Sequence, residues 1–167
     1  IKSADVAAAL RTALNDSSYS TEANALTSLS KIDSTNAVPF IKARYDVWSY
    51  SNQVANAALN GIARVDTVEA VNVAMKKVQY GAEVLGRNTA MSVMKKYGKT
   101  RNDVKSLCAS LLNDKSYSVK YNAADFLGDN GNESHLAALQ VLADKKNDGA
   151  SGAAKKAIEK IKERTKK

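Results

Sequence analysis

Few residues in this 167-residue chain have the type and spacing for chemistry: His135, Cys108, and Asp125 with Asp129. An imidazole can act as a general base or metal ligand, a thiol as a nucleophile, and two carboxylates four apart on a helix as an acid–base pair. Each has a plainer reading. His135 opens a helical stretch in "NESHLAAL", where an imidazole is a surface or capping neighbour. Cys108 sits among Leu107, Leu111 and Leu112 and packs as a small apolar residue. Asp125 and Asp129 read as carboxylates on a solvated helix face. "DNGNE" (Asp129–Glu133) has the composition of a calcium loop without its ligand spacing or distal Glu, so it reads as a turn. Met75, Met91 and Met94 fall within helical patterns and belong to the core. There is no Walker-type loop, no Gly-x-Gly-x-x-Gly and no nucleophile motif that His135 could serve. No catalytic, metal or cofactor-binding residue is assigned.

The elements that would hold these groups repeat. "DVAAALRTALNDSSYSTEANALTSL" (Asp5–Leu29) and "DVKSLCASLLNDKSYSVKYNAADFL" (Asp103–Leu127) align without a gap at an offset of 98 residues. Leu29, Ile62, Met94 and Leu127 recur at intervals of 33, 32 and 33, so the offset is three periods of a helical repeat. Within each unit, apolar residues three and four apart mark two amphipathic helices, as in Val6, Leu10, Ala13, Leu14 and then Ala25, Leu26, Leu29, Ile32. The pattern predicts helices over 3–15, 20–32, 36–47, 51–65, 67–80, 82–97, 101–114, 118–129, 133–147 and 151–165. Pro39 is expected in a first turn, and Gly98 and Gly131 just past helix ends. Ser-Tyr-Ser, present at Ser18, Ser49 and Ser116, is the turn between paired helices. A Ser hydroxyl there can cap the second helix, the preceding Asn-Asp reverses the chain, and Tyr19, Tyr50 and Tyr117 lay their rings across the junction.

Composition bounds the remaining possibilities. The chain is 44% hydrophobic with eight glycines and one proline, which favours helices and one domain with a real core. No apolar run approaches the roughly 18 residues of a membrane span, no signal-peptide pattern opens the chain, and no membrane partner is expected. A lone cysteine fits a reducing compartment, so a cytoplasmic setting is expected, and the sequons at Asn15 and Asn132 carry little weight. The net charge of +8 is uneven: Lys145–Lys167 holds nine Lys or Arg against three Asp or Glu, six of the eight charges. That distribution suits a terminal cap, with Ala154, Ala157, Ile158 and Ile161 packed inward and Lys155, Lys156, Lys160, Lys162 and Arg164 in water. It argues against a continuous groove for nucleic acid, as do Trp48 and the tyrosines, which fall mostly at turns and helix ends rather than along such a groove. Polar positions on the second helices (Lys31, Arg64, Arg87, Lys95, Lys96 and Lys120) are the candidate partner-facing surface.

These paired helices resemble HEAT-like repeats. "AVPFI" (Ala37–Ile41) resembles the opening of a repeat, and "YNAADFLGDNGN" (Tyr121–Asn132) its Ala-Ala-x-x-Leu-Gly signature, with Asn130 where an apolar residue is usual. The order of units further resembles the C-terminal helical domain of zinc aminopeptidases of the aminopeptidase N family, with "NDKSYSVK" before "AADFLGDNGNESHLAALQVLAD" and a divergent pair, "NDGASGAAKKAIEKIKER", at the end. The resemblance implies an all-α, right-handed solenoid of about five helix pairs. Residues 1–167 would form one repeat domain, the C-terminal part of a larger protein, a view also suggested by the opening Ile1. Such a domain packs on the catalytic domain of the same polypeptide and shapes substrate access without chemistry of its own. Zinc would be held only by the parent's catalytic domain, because a His-Glu-x-x-His site needs two imidazoles and this chain has one. The alternatives are a free-standing adaptor for another protein and, third, a nucleic-acid-binding repeat protein.

Overall fold

The computed structural model describes residues 4–79, 81, 82 and 84–166. Among them every regular element is helical: α1 (Ala4–Ala13), α2 (Tyr19–Ile32), α3 (Ser34–Lys42), α4 (Gln53–Ile62), α5 (Thr67–Lys77), α6 (Val84–Tyr97), α7 (Asn102–Leu111), α8 (Tyr117–Asn130), α9 (Leu136–Ala143) and α10 (Ser151–Thr165), with 3₁₀ turns at Tyr50–Asn52 and Glu133–His135. The protein is all-α. The predicted boundary residues Ser3 and Tyr80 lie outside the described residues.

The principal contacts follow the repeat. Each even helix packs on the next (α2 on α4, α4 on α6, α6 on α8, α8 on α10), and α1, α5, α7 and α9 each pack on the even helix that follows. α3 is shared between α2 and α4. The four equivalent residues Leu29, Ile62, Met94 and Leu127 are all buried, in one core cluster running from Ala7 to Ile161. Even helices can approach closely because small residues face one another across the layer. Gly61 meets Ile41 and Ser30, and a Cβ on Gly128 would lie 2.9 Å from Ala157 Cα. Since that neighbour is backbone, Gly128→Ala must push α8 and α10 apart, and we expect a loss of about 1–3 kcal/mol. Gly152→Ala, with nothing within 4 Å of the added Cβ, should instead gain about 0.5–1 kcal/mol from helix propensity. Thermal melts of the two variants should move in opposite directions.

Several helices end before their expected limits: α4, α5 and α7 stop at Ile62, Lys77 and Leu111, three residues short of 65, 80 and 114, and α3 and α9 depart further. α3 starts at Ser34 and stops at Lys42, so Pro39 lies inside it rather than in its first turn. It ends early because Arg44 is drawn away: Nε donates to Glu22 Oε1 at 2.7 Å, one terminal nitrogen to Leu14 O at 2.9 Å, and the other to Phe40 O at 3.3 Å. α9 ends at Ala143, four residues short of the expected 147, where Asp144 takes the cap position and Gln140 reaches its carboxylate at 2.7 Å. Gly131 does cap α8, with its N–H on Leu127 O. In α10 the inward residues are Ala154, Ala157, Ile158 and Ile161. Two of the cations placed in water by the sequence reach back to α8: Lys160 to Asp129 at 2.7 Å and Arg164 to the carbonyls of Gly128 and Gly131.

Candidate interaction surface

The repeated turn is built as its residue types require. In the first copy Asp16 accepts the Ser18 N–H at 2.7 Å, and Ser18 Oγ accepts the Thr21 N–H, capping α2. The same Asp device recurs in two later turns between paired helices: Asp114 accepts from Ser116 N at 2.8 Å, and Asp148 from Ala150 N at 3.0 Å. Ser116 does not cap α8; its hydroxyl meets Ser118, which donates to Asn88 of the previous unit at 2.9 Å. Tyr19 meets Trp48 edge to face at 5.7 Å, and Tyr117 lies against Tyr121 and over Gly149 of the next unit. The middle copy departs from the pattern. Ser49 is buried and caps Val54 N at 3.0 Å, Tyr50 is exposed, and Ser51 and Asn52 both adopt left-handed backbone, with φ of 54° and 56°.

Neighbouring units are joined by polar bridges at a recurring place. A residue in the first turns of an even helix reaches a charged group in the loop before the next: Glu22 to Arg44, Arg87 to Asp114, and Lys120 to Asp148. A second set crosses nearer the far ends of the same helices, where Lys95 meets Asp125 at 2.5 Å and Lys160 meets Asp129.

These bridges divide the six candidate surface residues. Arg87 is 2% exposed and locked inside by Asp114 and the Val78 carbonyl, so it is not available as surface. Lys120 and Lys95 are engaged between units. Lys31, Arg64 and Lys96 are exposed and make no ion pair among the described residues; Lys96 lies over the Tyr97 ring at 4.9 Å. The structure brings Arg64 and Lys96 to one groove of about 300 Å³ crossing α2, α4 and α6, with Thr27, Asn60, Ser92 and Tyr97 in its walls. Lys31 stands one turn beyond Thr27 on the same face of α2. Asn60 and Ser92 escaped sequence reasoning because polar residues on a helix carry no periodic signal. Their spacing of 32, matching that from Arg64 to Lys96, was the available clue.

The groups weighed for catalysis are engaged elsewhere. Burial pushes the Cys108 thiol up to about 12, far from thiolate chemistry. We expect a disulfide reagent at pH 8 to label Cys108 only in denaturant; rapid labelling of the folded chain would show that the α7 packing opens readily. His135 Nδ1 accepts from Asn132 N at 3.2 Å in a capping box. Asp125 is held below the usual carboxylate range: burial alone would raise it, but hydrogen bonding to Lys95 and the charges of Lys95 and Lys160 outweigh that. Among the described residues no group of three His, Cys, Asp or Glu is placed to hold a metal, and no helix is long and apolar enough to cross a membrane. No protein-family model and no curated protein sequence matches the chain.

Proposed function

We propose that this chain is a non-catalytic scaffold, a right-handed HEAT-like α-solenoid of five helix pairs that acts by presenting the face of its even helices. The observation that carries this reading is the unit-to-unit ladder. Packing recurs from unit to unit and one kind of bridge joins three of the four successive pairs of even helices, while the residues capable of chemistry are consumed as core, cap or ion pair. Repeat arrays of this kind offer extended surfaces rather than enclosed sites.

The resemblance of Tyr121–Asn132 and of the unit order supports placing the array on the catalytic domain of an aminopeptidase N-like zinc peptidase, where it would shape access to the active site. The zinc would be held there, since this chain's single histidine is spent on a helix cap. A free-standing adaptor is the second reading, favoured by the three unpaired cations in one row. Nucleic-acid binding is third, because six of the eight net charges lie in Lys145–Lys167.

Two measurements test this. The purified chain, incubated with zinc and an aminoacyl p-nitroanilide, should show no turnover; sustained release of p-nitroaniline would overturn the non-catalytic reading. The encoding gene should contain an upstream His-Glu-x-x-His segment if the peptidase placement is right, and its absence would leave the adaptor.

A further inference from the structure

Lys31, Arg64 and Lys96 stand at intervals of 33 and 32 residues, one per repeat, on α2, at the end of α4 and on α6. All three are exposed and meet no carboxylate among the described residues. What sets them apart from the other exposed cations is the equivalent position they hold in three successive units. Lys77, Arg87, Lys95, Lys120 and Lys160 all meet a carboxylate of another unit. The row also has a defined end: the next equivalent position is Asp129, which is held by Lys160 at 2.7 Å. The nearest acidic residues in sequence are Asp33, held by Arg11, Asp103, held by Arg101, and Asp66, which caps Glu69 N. Arg64 and Lys96 therefore line the groove of Thr27, Asn60, Ser92 and Tyr97, with Lys31 one turn beyond Thr27, and none of the three meets a carboxylate among the described residues.

We propose that this row binds an extended acidic peptide, with one carboxylate for each cation. The inference rests on the scaffold reading above and names its ligand class. The spacing selects the occupant. Packed helices lie about 10 Å apart, and an extended chain advances about 3.3 Å per residue, so carboxylates three residues apart match successive cations. Across three helices the matching segment is about seven residues long. The Asn60 carboxamide makes no other hydrogen bond among the described residues and is exposed beside Arg64, so it can pair with the peptide backbone. Tyr97 offers an apolar ring between the charges. The phosphates of nucleic acid lie closer together than these cations and do not share that register.

The test uses a fluorescein-labelled peptide with Asp at positions 2, 5 and 8 of a Gly/Ser nonamer, titrated by anisotropy at low and moderate salt. We expect saturable binding that weakens with salt. It should weaken at least about tenfold in Lys31→Gln/Arg64→Gln/Lys96→Gln, and change little in Lys155→Gln/Lys156→Gln/Lys162→Gln. Thermal melts should show both triple variants folded, since all the substituted side chains are exposed. Equal affinity of wild type and the first variant would overturn the proposal. So would the larger loss in the second variant, or equal binding of a peptide with its three Asp adjacent. Tighter binding of a duplex oligonucleotide, lost in the first variant, would assign the row to nucleic acid instead. Peptide failure with no p-nitroanilide turnover would leave the scaffold reading standing.

Discussion

Ile62→Asp is expected to abolish the folded state of the array, not merely loosen one helix. Ile62 is 1% exposed at the end of α4, the helix that packs on α2, α3, α5 and α6. A carboxylate there would be buried without a cation, at a cost exceeding about 4 kcal/mol, a large part of the 5–15 kcal/mol that typically stabilises a domain. Because each unit is stabilised chiefly by its neighbours, losing a central one removes a face from both sides. Helical circular dichroism should fall by more than one unit's share, and the melt should lose its cooperative step. Val68→Asp, on an exposed position of α5, should melt like the wild type. A normal melt for Ile62→Asp would mean that the repeat register is wrong.

Removing either partner of the Arg87–Asp114 pair should cost about 3–5 kcal/mol, because it strands the other charge in the interior. The two side chains are 3% and 4% exposed and 2.5 Å apart. Among the described residues Arg87 otherwise donates to the Val78 carbonyl at 2.8 Å, and Asp114 accepts the Ser116 N–H and lies near the charge of Lys120. The double variant Arg87→Met/Asp114→Leu should recover much of that loss, since an apolar pair leaves no charge unmatched. A loss below about 1 kcal/mol for Asp114→Ala would show that the pair is solvated rather than buried.

The same pair sets an acid limit. Burial pushes Asp114 up, but the hydrogen bond and charge of Arg87, the Ser116 N–H and the charge of Lys120 together hold it below its ordinary value. Asp125 and Asp148 are lowered too, Asp148 chiefly by its hydrogen bond to Lys120. A carboxylate whose folded value lies below its unfolded one stabilises above the unfolded value, and that contribution is lost as pH falls through the folded one. Stability should therefore be level above about pH 5 and fall steadily below about pH 4. Asp114→Asn should flatten part of that fall.

Periodicity carried most of the fold because burial imposes it. Leu29, Ile62, Met94 and Leu127 must face one core, and apolar spacing records that directly. Charge does not work the same way. Arg87 and Lys96 look alike as basic residues on one helix, yet one is buried and one exposed. The difference lies in Asp114, 27 residues away, and was legible only as a pair that recurs in Lys120 and Asp148 at a spacing of 28. The end of α3 was missed for a similar reason. Arg44 has good helix propensity, but its bonds to Glu22 and to the carbonyl of Leu14 hold it in the loop, and local pattern holds no record of such a distant claim. The left-handed pair Ser51–Asn52 contains no glycine to announce it.

The bridge between successive even helices has a polarity, and it is reversed at one end. Glu22 supplies the acid to a basic loop at Arg44, whereas Arg87 and Lys120 supply the base to acidic loops at Asp114 and Asp148. Glu22 and Lys120 occupy the same place in aligned units, 98 residues apart. Were α2 to dock on the loop before α10, or α8 on the loop before α4, Glu22 would meet Asp148 and Lys120 would meet Arg44, acid against acid and base against base. Each joint therefore acts as a key that admits its own neighbour and rejects the look-alike from the other end. The order in which these near-identical helix pairs follow one another is thus written in the sign of their joints as well as in the chain.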